Sequence, residues 1–405
     1  MTAPLDLSQG PLSGLRILDL TSVVLGPLAT QILGDYGAEV IKVESLEGDL
    51  MRANGVTLAP GMSSIFLSIN RNKQSLALDL KSEAGKDIVR RLIPRVDAVV
   101  HNMRVAAIEK LGFGYEAARA LNPGIVYCAA TGFDQDGPDK DRPAFDDIIQ
   151  AACGLASVNS LGKDRPDYIA TLVADKTAGM ALVNAVLAAL LAKARSGQGQ
   201  YVEVPMLETM VAFTLVEHMG GLSRNPATQA AGYSRVLAGG RQPSPTRDGY
   251  IAMLPYTNAH WERFFKDAGQ EALGQELGVT NRISRNANIQ RLYKALHAIT
   301  ATKTTAEWLA ICDRLDIPVT PIYAMEDLPS HPQLQAVKLF AETEHPDVGP
   351  IRYVRPPVKF SQTPASVRHQ ARRLGQDTQT ILADLGYSPQ EIADLQAQGA
   401  IITSP

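Results

Sequence analysis

The chain has 405 residues and a net charge of −3, with 39 basic and 42 acidic side chains. This length exceeds what one hydrophobic core usually supports, so we expect two domains or a large domain with an insertion. A weakly acidic chain with scattered basic residues lacks the electrostatic footprint of a nucleic-acid-binding protein. The three cysteines, Cys128, Cys153 and Cys312, stand far apart without a CxxC pair. They predict neither a disulfide framework nor a zinc site, and they fit a reducing cytoplasm.

Short apolar runs alternate with segments of helical spacing through the first half of the chain. Two of the intervening segments, 27–37 and 82–95, have helical spacing and Gly or Pro near their ends. This order is typical of βαβ units, in which helices cover both faces of a parallel sheet and ligands bind beyond the carboxyl ends of the strands. We therefore predict a doubly wound α/β domain with functional residues just after its strands. The predicted strands are 15–21, 38–44, 75–81, 97–103 and 124–132.

A long apolar helix is predicted next, beginning near Asp175 in the stretch LVADKTAGMALVNAVLAALLAKARSGQGQ (172–200). Asn184 interrupts its apolar surface and Ala is frequent, so we interpret it as a core helix and not as a membrane span. Residues 1–14 have no basic stretch followed by an apolar run, so no targeting segment is predicted. A second helix is predicted over 207–222.

The composition changes at 223–250, where Gly, Pro, Ser and Arg are dense, as in a linker between domains. Beyond it we predict a smaller α+β domain with a strand and helices, then a Pro-rich extended passage and a helical tail. These elements are expected at 250–255, 258–269, 304–315, 345–361 and 377–399. The predicted parts are a large domain over 1–223, a small domain with its linkers over 224–328, and a carboxyl-terminal segment over 329–405 that returns to the large domain.

Asp175 has two interpretations from the residues alone. Asp is a common N-cap, although a capping box would place Glu or Gln three residues on, where Ala178 stands. Alternatively, the positive end of the helix keeps the carboxylate ionised and available as a nucleophile or base. The helix behind Asp175 is rich in Ala and Gly, which lets other backbone approach closely.

Five blocks of the sequence resemble, in order, those of the family III CoA-transferases, the group that includes formyl-CoA transferase and carnitine CoA-transferase. The first block, 14–52, has a Gly-Pro before a helix, the strand GAEVIKVE and the pattern GDxxR. The resemblance implies a doubly wound large domain with an inserted smaller α+β domain, and an interlocked homodimer. The remaining blocks are 70–86, 99–113, 130–151 and 172–191.

The resemblance further implies that Asp175 is the catalytic nucleophile. In this family the carboxylate attacks an acyl-CoA thioester to give an aspartyl mixed anhydride, and the released thiolate then gives an aspartyl-CoA thioester. An acceptor acid repeats these steps in reverse. The loop AGGR (238–241) is a candidate source of amides for the oxyanions. Acyl-CoA is then the substrate and a carboxylic acid its partner, without a tightly bound cofactor, metal, nucleic acid or membrane.

The family's CoA-binding site also matches positions in this chain. Guanidinium and ammonium groups pair well with the phosphates of CoA, which supports Arg104 and Lys110, while a solvated surface charge is the alternative for each. Ser45 stands where some members have an Arg over the adenine, and Pro143 where one has a Lys, so Arg142 is a candidate replacement. The implied CoA-binding residues are Val23, Val24, Leu25, Leu78, Asp79, Leu80, Lys81, Asn102, Met103, Arg104, Lys110, Leu111 and Arg142.

Two other functions remain open from the sequence. The α-methylacyl-CoA racemases resemble this chain too, but they have a His where Phe145 stands, and Phe cannot carry a proton. A CoA-binding protein without activity is the second alternative. The acyl donor and acceptor are not defined, although Arg235, Arg241 and Arg247 near the linker suggest a dicarboxylate, with ordinary solvation as the alternative.

Overall fold

The computed structural model describes residues 8–160, 164–237 and 239–404. Residues 1–7, which form half of the segment used to predict the lack of a targeting signal, lie outside the described residues. The chain divides into two compact units. The larger unit contains the described residues of Met1–Ala156, Tyr168–Phe213 and Val337–Pro405, and the smaller contains those of Ser157–Asp167 and Thr214–Ala336.

The described residues form fourteen strands and eighteen α-helices, with short 3₁₀ turns between some of them. The strands are β1 (Arg16–Leu20), β2 (Glu39–Glu44), β3 (Thr57–Ala59), β4 (Met62–Ser63), β5 (Lys73–Leu78), β6 (Ala98–His101), β7 (Val126–Thr131), β8 (Gln200–Pro205), β9 (Ser244–Thr246), β10 (Gly249–Met253), β11 (Val319–Pro321), β12 (Phe340–His345), β13 (Gly349–Val354) and β14 (Ile401–Ile402).

The α-helices are α1 (Leu25–Asp35), α2 (Ser64–Ile69), α3 (Glu83–Leu92), α4 (Val105–Leu111), α5 (Tyr115–Leu121), α6 (Asp146–Ala152), α7 (Leu155–Val158), α8 (Val173–Ser196), α9 (Met206–His218), α10 (Ser234–Leu237), α11 (Asn258–Asp267), α12 (Glu271–Glu276), α13 (Arg282–Ala287), α14 (Ile289–Thr300), α15 (Thr305–Leu315), α16 (Pro332–Ala336), α17 (Thr378–Asp384) and α18 (Pro389–Ala397). The 3₁₀ turns are Leu50–Arg52, Ile93–Arg95, Gly220–Ser223 and Met325–Ser330.

The larger unit is built on a seven-stranded sheet in the order β14-β5-β2-β1-β6-β7-β8. Six strands run parallel, as predicted, but β14 pairs antiparallel with β5, so the sheet is mixed. The prediction of a wholly parallel sheet is wrong at this edge. The added strand β14 has only two residues, which is too short for a pattern of apolar residues in the sequence to predict it. Since β1 lies between β2 and β6, the chain reverses its winding there, and such switch points form ligand crevices.

Alternate residues of the central strands pack in two separate hydrophobic cores, one on each face of the sheet. Ile17 of β1 packs in a core with residues of α1 and α8, whereas Leu18 packs in a second core with residues of α3 and α17. This alternation follows from the two-residue period of a strand. Burial on both faces explains why the strands are apolar almost throughout.

Helix α8 begins at Val173, two residues before the predicted start, and it is long and apolar enough to cross a membrane by length and composition. Its buried side packs on α1 and on the sheet. At Gly179, an added side-chain carbon would lie 2.8 Å from the Leu25 carbonyl oxygen. The prediction that small residues let other backbone approach this helix is therefore confirmed.

The smaller unit has a three-stranded antiparallel sheet, β11-β10-β9, beside helices α11 to α15. Its core contains Trp261, Phe264 and Trp308, and the indole Nε1 of Trp308 donates to the Thr300 carbonyl at 2.7 Å. The helices predicted at 258–269 and 304–315 are confirmed. This unit therefore has an aromatic core of its own.

Candidate active site

A cavity of about 350 Å³ opens beyond the carboxyl ends of β1, β6 and β7. This is the edge of the sheet at which the winding reverses, where α/β folds place ligands. The segments that follow the three strands form most of the wall, and the start of α8 completes it. The main lining segments are 22–25, 102–105, 130–132 and 142–145, together with Asp175.

The segment after β1 is held in a strained conformation. Val23 has a φ of +69°, which a β-branched residue rarely adopts. Asn102, just after β6, accepts from the Ser22 amide at 2.9 Å and donates to the Ser22 carbonyl at 2.8 Å. The Val23 amide donates to Asp49 Oδ1 at 3.3 Å. Strain that neighbouring residues maintain in this way is typical of functional segments.

Buried ion pairs support the same segment. Lys42 Nζ lies 2.9 Å from Asp49 Oδ2 and donates to the Thr21 carbonyl at 2.9 Å. Lys73 Nζ lies 3.0 Å from Asp19 Oδ2, and Asp19 also accepts from the Thr21 amide at 2.9 Å. Burial lowers the pKa of Lys73 to about 8, even though Asp19 opposes that change. Removing one partner of such a pair typically costs about 3–5 kcal/mol, so these charges fix the loop firmly.

Asp175 lies on the wall of the cavity and is only 9% exposed. It is the third residue of α8, within the first turn, and the residue at the cap position is Leu172. Within the described ranges, no hydrogen bond to the Asp175 carboxylate is found. The interpretation of Asp175 as the N-cap is therefore wrong, and its carboxylate is free to react.

Asp146, the first residue of α6, caps the start of α8 instead. Its Oδ1 accepts from the amides of Ala174 and Asp175 at 2.8 and 3.0 Å. Gln150, one turn further along α6, donates from Nε2 to Asp146 Oδ2 at 2.6 Å and accepts from the Ile169 amide at 2.9 Å. Asp146 and Gln150 are both buried. Sequence reasoning missed this pair, and the signal was slight: two adjacent acidic residues open α6, and nothing local says which one faces inward.

Burial raises the pKa of Asp175 to about 6, and the negative charge of Asp146 adds to the rise. The positive end of α8 does not hold this pKa low, because its first amides already bond Asp146. Most Asp175 side chains are still ionised at neutral pH. Because a carboxylate with greater proton affinity is also a better nucleophile, the environment favours attack by Asp175.

The cavity lining combines cationic and apolar side chains. Arg104, Lys140 and Arg142 are its cations, and Arg142 forms an exposed ion pair with Asp139 at 3.1 Å. The apolar part includes Phe145, which is 64% exposed. Cations suit the phosphates of a nucleotide, and apolar groups suit an acyl chain. Lys140 was not singled out from the sequence, where it is one exposed Lys among many.

Eight of the predicted site residues line this cavity, and six do not. Leu78 ends β5 and Asp79 to Lys81 follow it, and β5 is separated from β1 by β2. Lys110 and Leu111 are the last two residues of α4. A role of these six in CoA binding stays a prediction. The eight that line the cavity are Val23, Val24, Leu25, Asn102, Met103, Arg104, Arg142 and Asp175.

The other candidate groups lie elsewhere. In the loop AGGR, Ala238 lies outside the described residues, and Gly239 to Arg241 belong to the smaller unit, so their role as oxyanion donors stays a prediction. The three cysteines are buried free thiols. Over 8–160, 164–237 and 239–404, no group of three or more His, Cys, Asp or Glu side chains is arranged to hold a metal ion.

Residues 12–378 match the model of CoA-transferase family III. The chain is 33% identical to the succinyl-CoA:glutarate CoA-transferase of Mus musculus, with 97% of this chain and 91% of that protein covered. It is 32% identical to the succinate–glutarate CoA-transferase of Agrobacterium fabrum, with 93% and 96% covered. A crystal structure of a CAIB/BAIF family protein from Brucella suis matches with a TM-score of 0.79 at 28% identity, over 93% of this chain and all of that one. The chain therefore belongs to family III of the CoA-transferases and is an enzyme of that class.

Proposed function

We propose that the enzyme moves CoA from an acyl-CoA thioester to a carboxylic acid, with Asp175 as a covalent nucleophile. The observation that carries this proposal is the carboxylate of Asp175 itself: it is nearly buried, free of hydrogen bonds from the described residues and set in the wall of a cation-lined cavity. A buried carboxylate without partners is costly, which argues for a use in catalysis and against a protein that only binds CoA.

The reaction proceeds by four displacements. Asp175 attacks the thioester carbonyl, the C–S bond breaks, and CoA leaves as a thiolate, giving a mixed anhydride. The thiolate attacks the aspartyl carbonyl, which releases the first acid and leaves an aspartyl-CoA thioester. The acceptor carboxylate then attacks this thioester to form a second anhydride, and the thiolate attacks the acceptor's carbonyl. The new acyl-CoA departs and Asp175 is free again, with no net proton transfer and no further cofactor.

Both covalent intermediates hydrolyse readily, so water must be kept from Asp175. The side chains of Val24, Leu25 and Met206 belong to the same cavity wall and are buried apolar groups. An apolar surround also strengthens the electrostatic interactions that stabilise the oxyanions. We assign Asn102, Met103 and Arg104 to CoA, with the Arg104 guanidinium on a phosphate.

A racemase is the main alternative enzyme, and the cavity argues against it. Racemisation needs one group to remove the α-proton and another to return a proton on the opposite face. The ionisable side chains that line the cavity are Arg104, Lys140, Arg142 and Asp175. Phe145 stands at the sequence position where the racemases have a His as their second base. Among the side chains that line the cavity, only Asp175 is therefore suited to remove a proton at neutral pH.

Covalent capture tests the nucleophile. Enzyme incubated with acyl-CoA and then hydroxylamine should carry a hydroxamate on the peptide that contains Asp175. Asp175→Ala should carry none and should lose transfer by on the order of several thousandfold, while still binding CoA. Asp147→Asn, an exposed carboxylate in the first turn of α6, is the control and should behave like the parent enzyme.

The same enzyme in heavy water separates the alternatives. A chiral 2-methylacyl-CoA without an acceptor should gain essentially no deuterium at its α-carbon, and adding a carboxylic acid should start transfer. Rapid exchange without transfer to any of a panel of acids would indicate a racemase. Neither adduct, exchange nor transfer would indicate a CoA-binding protein without activity.

We further propose a cytoplasmic homodimer that accepts a dicarboxylic acid. The two relatives named above act, by their names, on dicarboxylic acids. Met180 and Leu191 of α8 are 54% and 61% exposed, and such large apolar side chains on one helix favour burial against a second copy. The free thiols fit a reducing compartment. Light scattering should give the mass of a dimer, and a Met180→Glu, Leu191→Glu double variant should weaken the dimer.

A further inference from the structure

A second cavity of about 340 Å³ lies within the larger unit, lined by residues of helices α4 and α5 and of strands β6, β7 and β8. It shares Val105 with the active-site cavity, but Asp175 and the cations of that cavity do not line it. The proposed transfer reaction makes no use of this space. Its polar and aromatic lining consists of His101, Glu109, Tyr115, Glu116, Tyr127 and Tyr201.

One wall of this second cavity is a cluster of aromatic rings. The centroid of the Tyr115 ring lies 5.8 Å from that of Tyr127 and 5.5 Å from that of Tyr201, and the last two lie 6.2 Å apart. The centroid of the His101 ring lies 5.2 Å from that of Tyr127. These are the separations of packed aromatic pairs, so the rings hold one another in place. The faces of such rings attract both apolar groups and cations.

Two hydroxyl groups on this wall have already used their protons. The Tyr127 hydroxyl donates to the Phe113 carbonyl at 2.7 Å, and the Tyr201 hydroxyl donates to Glu203 Oε2 at 3.3 Å. Because a phenol has one proton, only the oxygen lone pairs of these two groups are left for a ligand. A ligand that brings hydrogen-bond donors therefore suits this wall better than one that brings acceptors.

Negative charge acts on the same two hydroxyls. Glu109 is exposed and forms no ion pair with any residue that the structure describes. Burial raises the pKa of both the Tyr127 and the Tyr201 hydroxyl, and the charge of Glu109 raises both further. Glu116 has an exposed ion pair with Arg119, whose closest atoms are 3.7 Å apart. The carboxylates at this cavity thus favour a positively charged ligand.

His101 adds a buried polar atom without a partner. Its side chain is only 1% exposed, and its Nδ1 has no hydrogen-bond partner among the described residues. Burial lowers the pKa of His101 to about 4, so the ring is neutral at neutral pH and does not repel a cation. In the tautomer that carries its proton on Nε2, Nδ1 is an acceptor. Since buried polar groups are nearly always satisfied, a donor from a ligand would complete this site.

We propose that this cavity is a second ligand site, which binds a small organic ammonium ion with an apolar body. An ammonium group has N–H donors and no acceptor, which matches a lining whose free polar atoms accept. The Glu109 carboxylate and the aromatic faces attract its charge, and Val105 and Ile108 contact its apolar body. A carboxylate or phosphate ligand would be repelled by Glu109. The site does not depend on Asp175 as a nucleophile, so it is tested separately from the proposed function.

Three probes of similar size and different charge test the site by calorimetry on the full-length enzyme at about pH 7. The cation 2-phenylethylamine should bind at least about fivefold more tightly than the neutral 2-phenylethanol, and the anion 3-phenylpropionate should bind most weakly. Glu109→Gln should remove most of the preference for the amine, and Tyr201→Leu should weaken the amine at least about threefold. The controls are Glu83→Gln, an exposed glutamate of α3 paired with Lys86, and Tyr250→Leu, an exposed tyrosine of the smaller unit, and both should match the parent.

Two further measurements distinguish this cavity from the active site. Saturating CoA and the Asp175→Ala substitution should each leave amine binding intact, and abolition of binding by either would place the amine in the active-site cavity and overturn the proposal. Equal affinities for the three probes, or a preference for the amine that survives both Glu109→Gln and Tyr201→Leu, would also overturn it. If Tyr201→Leu does not fold, the exposed Glu109→Gln alone decides the test.

Discussion

Replacing Asp146 with Asn should shift the pH dependence of transfer to lower pH. Burial and the charge of Asp146 together raise the pKa of Asp175, and the substitution removes the second cause. The Asn Oδ1 can still accept from the amides of Ala174 and Asp175, and Asn is as good an N-cap as Asp. The geometry of the helix start is therefore retained while its negative charge is lost.

The expected change is large enough to measure. With a pKa of about 6, only about one Asp175 in ten is ionised at about pH 5. Asp146 is the smaller of two causes of a rise from 3.8 to about 6, so removing its charge lowers that pKa by at most about 1, and the rate at about pH 5, relative to the plateau, should rise by up to about fivefold. Because burial is the larger cause, the pKa should stay above its ordinary value. The plateau itself should fall modestly, since a less basic carboxylate is a weaker nucleophile.

The assay is kcat/KM for transfer between about pH 5 and about pH 8. Gln150 loses the acceptor for its Nε2, which should cost about 1–3 kcal/mol of stability, so folding must be checked by circular dichroism at each pH. Asp147→Asn, the exposed neighbour, should leave the profile unchanged. If Asp146→Asn is folded and its acid limb coincides with that of the parent, Asp146 does not influence the nucleophile and the electrostatic reasoning fails.

Two further predictions concern stability and CoA affinity. The folded pKa of Asp175 lies above its ordinary value of 3.8, so the penalty for burying its charge is absent at about pH 4 and grows as the pH rises through about 6. Asp175→Asn should therefore be more stable than the parent by up to about 3 kcal/mol at about pH 8 and no more stable at about pH 4, and a gain in urea denaturation that did not vary with pH would contradict this. Arg104→Ala should weaken CoA about 10- to 100-fold in calorimetry, and dephospho-CoA less if the 3′-phosphate is its partner. Arg119→Ala, which removes an exposed arginine paired with Glu116, is the control. If the two variants bind CoA with equal affinity, Arg104 is a solvated surface charge and does not bind CoA.

The core of the larger unit could be predicted because its signals are local. Each of the first five parallel strands is an apolar run with a turn at its end, and all five are present with ends shifted by up to three residues. The strand predicted over 75–81 ends earlier, at Leu78, because Asp79 accepts from the Lys81 amide and starts a turn. The tail predicted to be helical over 377–399 forms two helices, α17 and α18, and Gly386, whose φ is +91°, lies between them. A capping box from Ser388 to Glu391 restarts it, and that signal was readable in the sequence.

The features that the sequence did not reveal depend on contacts between distant residues. Asp146 lies 28 residues before the amide of Ala174 that it caps, and no local pattern links them. The left-handed φ of Val23 is maintained by hydrogen bonds of this segment to Asn102 and Asp49. Because Val is a residue typical of strands, its sequence propensity does not predict this conformation.

Asp146 and Asp175 show why the free carboxylate is best explained by function. Asp146 opens α6 and contacts the start of α8, Asp175 lies in the first turn of α8, and both are buried. Asp146 receives three hydrogen bonds, so this part of the fold has donors enough to satisfy a carboxylate. Asp175 donates its own amide to Asp146 while its carboxylate faces the cavity without a partner. Selection for stability alone would not retain an unpartnered buried carboxylate at position 175, since a hydrogen-bonded or apolar residue there would cost less free energy to bury. Environments that make two neighbouring carboxylates unequal are the usual way in which a protein assigns one to structure and the other to chemistry.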